Sequence, residues 1–292
     1  LRLSSNLSFW LNACESTGKN NFESAMMHGY IPPHRFFPYL TWTDIDTMPN
    51  RANVVIVQPI GAIEQHGPHL PLIVDAAIAT AVVGKALSQL DPNIPAYSLP
   101  PLYYGKSNEH WHFPGTITLS AQTLIQMLME VGESLYRAGF RKFALINGHG
   151  GQPQIMEIVA RDLHQKYDDF LVFPLFVWRV PNLPFQDLPP KELEYGIHAG
   201  EIETSVLLSL LPEQVRMDQA VAEYPPELPE ESVLSMEGAL PFAWTTRDLS
   251  RSGVLGDPLP ATVEKGDRIL NAAVESWVCV LKDLHRFRQP QV

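Results

Sequence analysis

Glu64, His66, His69 and Asp75 place four potential metal ligands within twelve residues, in the stretch QPIGAIEQHGPHLPLIVD from Gln58 to Asp75. A mixed carboxylate and imidazole set suits zinc, manganese or iron, and argues against a thiolate site. Two further clusters add to it. His149 stands in the glycine turn NGHGG, Asn147 to Gly151, and His198, Glu201 and Glu203 stand in HAGEIETS. A glycine turn can also cradle phosphate, but a phosphate loop closes on Lys or Ser/Thr, and this one offers Gln152. His149 is therefore read as a ligand. Acidic residues in the first turn of a helix are commonly partners of its dipole, so one of Glu201 and Glu203 is read as structural. Glu109, His110 and His112 are also of ligand type. Loops that flank sites at strand ends carry such residues without binding metal, so a substrate-side or structural role is expected for them.

These residues need a scaffold that brings them together. Val54 to Val57 is an unbroken β-branched set that suits a strand buried on both faces. It should stop at Pro59 and Gly61, because proline cannot donate to a ladder and glycine permits the turn. The first cluster then lies past the carboxyl end of a buried strand, where open α/β sheets place their ligands. Asp75 leads into a helix running to Leu90, whose dipole favours the charged carboxylate if Asp75 caps it. The same order recurs around His149: a short buried strand from Phe143 to Ile146, the glycine turn, then a helix over QPQIMEIVARDLHQKY. Ile94–Leu99 and Leu171–Trp178 read as further strands. Further helices are expected before Pro49 with Thr43 or Asp44 as cap, from a Ser120 N-cap to near Gly139, across Glu201 and Glu203, and from about Ala261. The apolar side of the third of these is Val206, Leu207, Leu210 and Leu211. Alternating strands and helices predict an α/β fold. No linker divides residues 31–292, which read as one domain, and residues 1–30 read as a loosely packed extension.

At 292 residues the chain can bury a full core, and its 45% apolar and 18% charged composition is that of a globular enzyme. A net charge of −11 disfavours nucleic acid or an anionic membrane surface as the main partner. No apolar run approaches the roughly 20 residues of a membrane span. Cys14 and Cys279 alone support neither a disulfide framework nor a thiolate zinc site. The cytoplasm is the expected compartment.

The stretches GAIEQHGPHLPLIVD, NEHWHFPGTITL, NGHGGQ, HAGEIETS and SGVLGDPLPAT, in this order, resemble those of the creatininase family of metal-dependent amidohydrolases. The resemblance implies a three-layer α/β/α fold with a mostly parallel central sheet. It also implies two divalent metal ions (Zn, Mn or Fe) bridged by a carboxylate and a water or hydroxide, and a homo-oligomer, a hexamer. Carried over position by position, Glu64, His66, Asp75 and His149 match metal ligands, with Asp75 as the bridge. His198 matches a proton-shuttling residue and Glu203 a carboxylate at the site. Creatinine-cleaving members have a glutamate where this chain has Gly151, and a tryptophan where it has Glu194 and Tyr195. With Gly151 unable to ligate, Glu203 is the candidate fifth ligand. The glycine-containing motif resembles relatives that hydrolyse formamides or process peptides.

The expected activity is hydrolysis of a non-peptide C–N bond, a cyclic amide or formamide, in a small-molecule substrate. Two adjacent cations make hydroxide from water near neutral pH and polarise the carbonyl under attack, and a neutral histidine returns a proton to the leaving nitrogen. A metallopeptidase acting on a small peptide and a catalytically silent metal-binding scaffold are the alternatives.

Overall fold

Neighbouring side chains of a strand point to opposite faces, so a strand that is apolar throughout must be covered on both. A computed structural model describes residues 27–229 and 231–290, and its four strands meet that demand. They are β1 (Val55–Ile60), β2 (Ala96–Ser98), β3 (Lys142–Asn147) and β4 (Leu171–Phe176), all parallel, in the order β2-β1-β3-β4. β1 and β3 are buried at every position. The helices are α1 (Trp42–Asp46), α2 (Val74–Gln89), α3 (Ala121–Arg137), α4 (Pro153–Lys166), α5 (Pro190–Tyr195), α6 (Glu201–Leu210), α7 (Thr246–Leu249) and α8 (Val263–Arg286).

The two faces separate cleanly. Val55, Val57, Ala144 and Ile146 pack with Ile78 and Val82 of α2, Val206 and Leu207 of α6, and Leu270, Val274 and Trp277 of α8. Ile56, Ile60, Phe143 and Leu145 pack with Leu124 and Leu128 of α3 and Ile155 and Val159 of α4. The result is the expected three-layer α/β/α arrangement. Parallel neighbours require long crossovers, and α2, α3 and α4 supply them.

Several boundaries differ from the sequence expectation. β1 runs through Pro59 to Ile60 instead of stopping there. The side of Pro59 that lacks an N–H faces β2, which has already ended at Ser98, and only its carbonyl is used, accepting from Leu102 N at 2.9 Å. β2 is shorter than Ile94–Leu99, flanked by Pro95 and Pro100. β4 ends at Phe176, before a turn in which Arg179 N donates to Phe176 O. The cap of α1 is Thr41; Asp44 completes a reciprocal box by accepting from Thr41 N at 2.8 Å. Ser120 caps α3 as expected. Asp75 lies in the first turn of α2, one residue past its start, and does not cap it.

The expected N-terminal extension lies outside the described residues up to residue 26, as does Cys14; His28 is already buried, its ring 5.8 Å from that of Tyr39. Cys279 is exposed on α8. Among the described residues no helix is long and apolar enough to cross a membrane.

Candidate metal centre

The carboxyl ends of β1 and β3 meet the start of α2. A Cβ on Gly61 would stand 2.4 Å from Ala76 N and Cα, so only glycine lets the chain leaving β1 pass this close to the first turn of α2. That approach sets Asp75 beside the loop carrying Glu64 and His66. The loop after β2 is tied to the same place: Ile117 N donates to Ile63 O at 2.9 Å, and Gln65 N to Thr116 Oγ1 at 3.1 Å. His198, three residues ahead of α6, is held by a two-way backbone pairing with Leu255 at 3.0 and 2.8 Å.

Asp75 divides its carboxylate between two imidazoles. Its Oδ1 lies 3.5 Å from His66 Nε2 and its Oδ2 3.2 Å from His149 Nδ1. Glu64 Oε2 is 3.1 Å from the same His149 nitrogen, and Glu203 Oε2 is 3.8 Å from His66 Nε2. Among the described residues four sets of donor atoms result, the atoms of each within 4.8 Å of one another: two share Asp75, with Glu64 and His149 or with His66 and Glu203, and two share Glu64, with His66 and His198 or with Glu109 and His110. The far nitrogen of each ring faces a backbone oxygen, His66 Nδ1 that of Glu64 at 3.2 Å and His149 Nε2 that of Lys106 at 3.0 Å. Donating there leaves a lone pair on the nitrogen that faces the carboxylates. His66 Nε2 and Asp75 Oδ2 are buried with no hydrogen bond. Orphaned polar atoms of this kind are costly, and divalent cations satisfy them, so the residues present fit a metal centre.

A sequence profile described as creatinine amidohydrolase matches residues 38–281. The chain belongs to the creatininase family. It is similar to the mycofactocin precursor peptide peptidase of Mycolicibacterium smegmatis, 34% identical over 217 residues that make up 74% of this chain and 79% of that protein. It is also similar to the creatinine amidohydrolase of Pseudomonas putida, 31% identical over 262 residues, 85% and 96% of the two chains. A solved creatininase variant of Zn–Zn type superposes with a TM-score of 0.69 at 28% identity, covering 85% of this chain and 97% of its own.

Within this creatininase-family site the charges call for cations. Burial works to lower the His66 imidazole, but Asp75, Glu203 and Glu64 raise it to about 9. His149, buried likewise, is raised well above its ordinary value by Glu64, Asp75 and Glu109. Burial pushes Glu203 up to about 7, against the pull of His66 and with the help of Asp75. Asp75, despite its burial, is held below the usual carboxylate range by His66 and His149. Without ions, the cluster retains protons where ions would otherwise balance its carboxylates.

Of the residues singled out in the sequence, Glu64, His66, Asp75, His149, His198 and Glu203 converge here. His69 does not: its Nε2 pairs with Thr204 Oγ1 of α6 at 2.9 Å. Glu201 forms an ion pair with Lys265, which makes it the structural member of the two glutamates. His112 is exposed. His110 enters the cluster's edge, its Nε2 3.5 Å from Glu64 Oε1 and its Nδ1 2.7 Å from Gln65 Nε2. Ser107, which carried no signal as a lone serine in a loop, donates to Glu64 Oε2. Gln65 accepts from His198 Nε2 through its backbone oxygen at 2.7 Å. That bond leaves His198 Nδ1 unprotonated and facing Glu64 Oε1 at 3.8 Å, and burial, with His66 and His110 nearby, holds the imidazole well below its ordinary value.

Proposed function

We propose that this chain hydrolyses a non-peptide C–N bond, that of a cyclic amide or formamide, at two divalent ions held by Glu64, His66, Asp75, His149 and Glu203. The observation that carries this reading is the division of Asp75 between His66 and His149, which suits a carboxylate shared by two cations. The Zn–Zn description of the solved relative supports it; zinc, manganese and iron all suit the donor set. When bound, such a pair lowers the pKa of water to near neutrality and polarises the carbonyl under attack. Glu203 is steadied for its place by Ala199 N, which donates to its Oε2 at 2.7 Å. His198, neutral and with Nδ1 open toward the cluster, takes up a proton and returns it to the leaving nitrogen. An assembly of several copies, a hexamer, belongs to the same reading, and a stable monomer in sedimentation at micromolar concentration counts against it.

A second reading, cleavage of a small peptide, is favoured by the similarity to a peptide peptidase and by exposed Tyr103, Tyr104 and Trp111 on the loop that carries Glu109 and His110. Metal-loaded protein assayed against creatinine, formamidopyrimidines, hydantoins and short peptides decides between them. Turnover of peptides alone selects the second reading, and no turnover of any C–N bond points to a silent metal-binding scaffold. Elemental analysis finding at most one ion per chain under saturating metal defeats the two-ion assignment.

A further inference from the structure

Glu109 reaches the centre from a different segment than any of the five ligands. Its Oε1 lies 3.0 Å from His149 Nε2, on the side of the ring away from Glu64 and Asp75, and is buried without a hydrogen-bond partner. Its other oxygen points outward to Lys106 Nζ at 3.9 Å. The space it fills belongs geometrically to position 151: a Cβ on Gly151 would come within 1.7 Å of Glu109 Oε1 and 2.6 Å of His149 Nε2. A side chain at 151 and the Glu109 carboxylate therefore exclude one another.

We propose that Glu109 is a positioning residue for His149, and that Gly151 is glycine so that this carboxylate can stand behind the ring. With Lys106 O and Glu109 Oε1 both 3.0 Å from Nε2, the imidazole proton stays on that nitrogen and Nδ1 presents its lone pair to the cation side. Carboxylate partners of this kind raise ligand basicity and fix ring orientation, and losing one costs about 10- to 100-fold in metal affinity. The inference rests on the reading of His149 as a metal ligand.

The test is chelator competition on the full chain loaded with Mn2+, with melting in excess chelator as the control for folding. Glu109→Ala should weaken Mn2+ retention about 10- to 100-fold, and Glu109→Gln, which keeps the size and an acceptor oxygen but not the charge, should fall between it and the parent. Gly151→Ala should weaken retention, because its Cβ meets both the Glu109 carboxylate and His149 Nε2. Adding it to Glu109→Ala should cost less than the sum of the single losses, because the clash with Glu109 is then gone while that with His149 remains. Equal retention by the parent and both Glu109 variants overturns the proposal, as does a double variant whose loss is the sum of the single losses. The isosteric glutamine variant keeps the comparison decisive if the alanine variant does not fold. A parent chain that retains no divalent ion defeats the metal reading itself, a distinct outcome.

Discussion

His198 is proposed as a proton carrier, and because it also falls within reach of a shared ion with Glu64 and His66, experiment has to separate that role from a ligand or a packing residue. Nε2 is committed to Gln65 O, so only Nδ1 can act on the centre. His198→Ala should keep both ions and a similar KM while kcat falls by about 10²- to 10⁴-fold, the usual contribution of a positioned acid or base. Imidazole ordinarily titrates near neutrality, but here burial, His66 and His110 lower it, and nearby cations push in the same direction. Activity should therefore fall off only on the acid side of the ordinary imidazole range, and the acid limb should vanish in the variant. Loss of metal in His198→Ala would make the residue a ligand; normal turnover would leave it structural. Asp75→Ala is the matching test of the bridge. Asp75 is shared by the two donor sets assigned to the proposed ions, so both ions and activity should go together in elemental analysis, and loss of a single ion would place the bridge elsewhere.

At the scale of elements, the strand ends and helix starts that hold Glu64, His66, Asp75 and His149 are legible in the sequence because buried strands announce themselves by unbroken apolar runs and stop at glycine turns. What spacing alone does not encode is direction across the fold. His69 lies nearer Asp75 in the chain than Glu64 does, yet its ring is claimed by Thr204 on α6. Glu109 and His110 are brought in by a loop whose base is tied to Ile63 and Gln65, a pairing that no local period reveals. The irregular stretch after residue 220 carries no periodic signal either, yet it contains a clamp. Glu223 accepts from Ser250 Oγ, Arg251 N and Ser252 N, each at 2.8 Å, and the segment it gathers continues to Gly253 O, an acceptor for Gln65, and to Leu255, which pairs with His198. Although partial burial works against it, these donors lower Glu223 from 4.5 to about 2. A carboxyl lowered by folding contributes stability that is present above its ordinary value and lost as pH falls through the folded one. Urea unfolding of the parent should therefore show a loss between pH 4.5 and about 2 that Glu223→Gln lacks. At neutral pH that variant should be less stable by about 1–3 kcal/mol, since an amide cannot accept at both ends. An unchanged acid slope would show that the clamp contributes nothing.

For the whole molecule, the centre gathers segments distant in the chain: the loops after β1 and β3 carry Glu64, His66 and His149, the first turn of α2 carries Asp75, and α6, which packs with α2 and α8 on one face of the sheet, carries Glu203. Ions that bind only the folded chain stabilise it by mass action, about 2.7 kcal/mol at one hundred times Kd, so chelation should lower the melting temperature of the entire domain in one transition. The size of that drop should depend on pH. In the ion-free protein, His66 stands at about 9 and Glu203 at about 7, both above their ordinary values. Groups raised by folding contribute stability that is full below their ordinary value and is lost as pH rises through the folded one. Below about pH 6.5 the lowered imidazoles of His69, His110 and His198 work in the opposite sense, so it is from about pH 6.5 to 9 that the ion-free protein should weaken through His66 and Glu203. Ion binding, which needs those same groups deprotonated, strengthens over that interval. Both effects have the same sign, so the difference in melting temperature between loaded and chelated protein should widen steadily from about pH 6.5 to 9. A constant or shrinking difference across that range would mean that the cluster's protons and its ions do not compete for the same atoms.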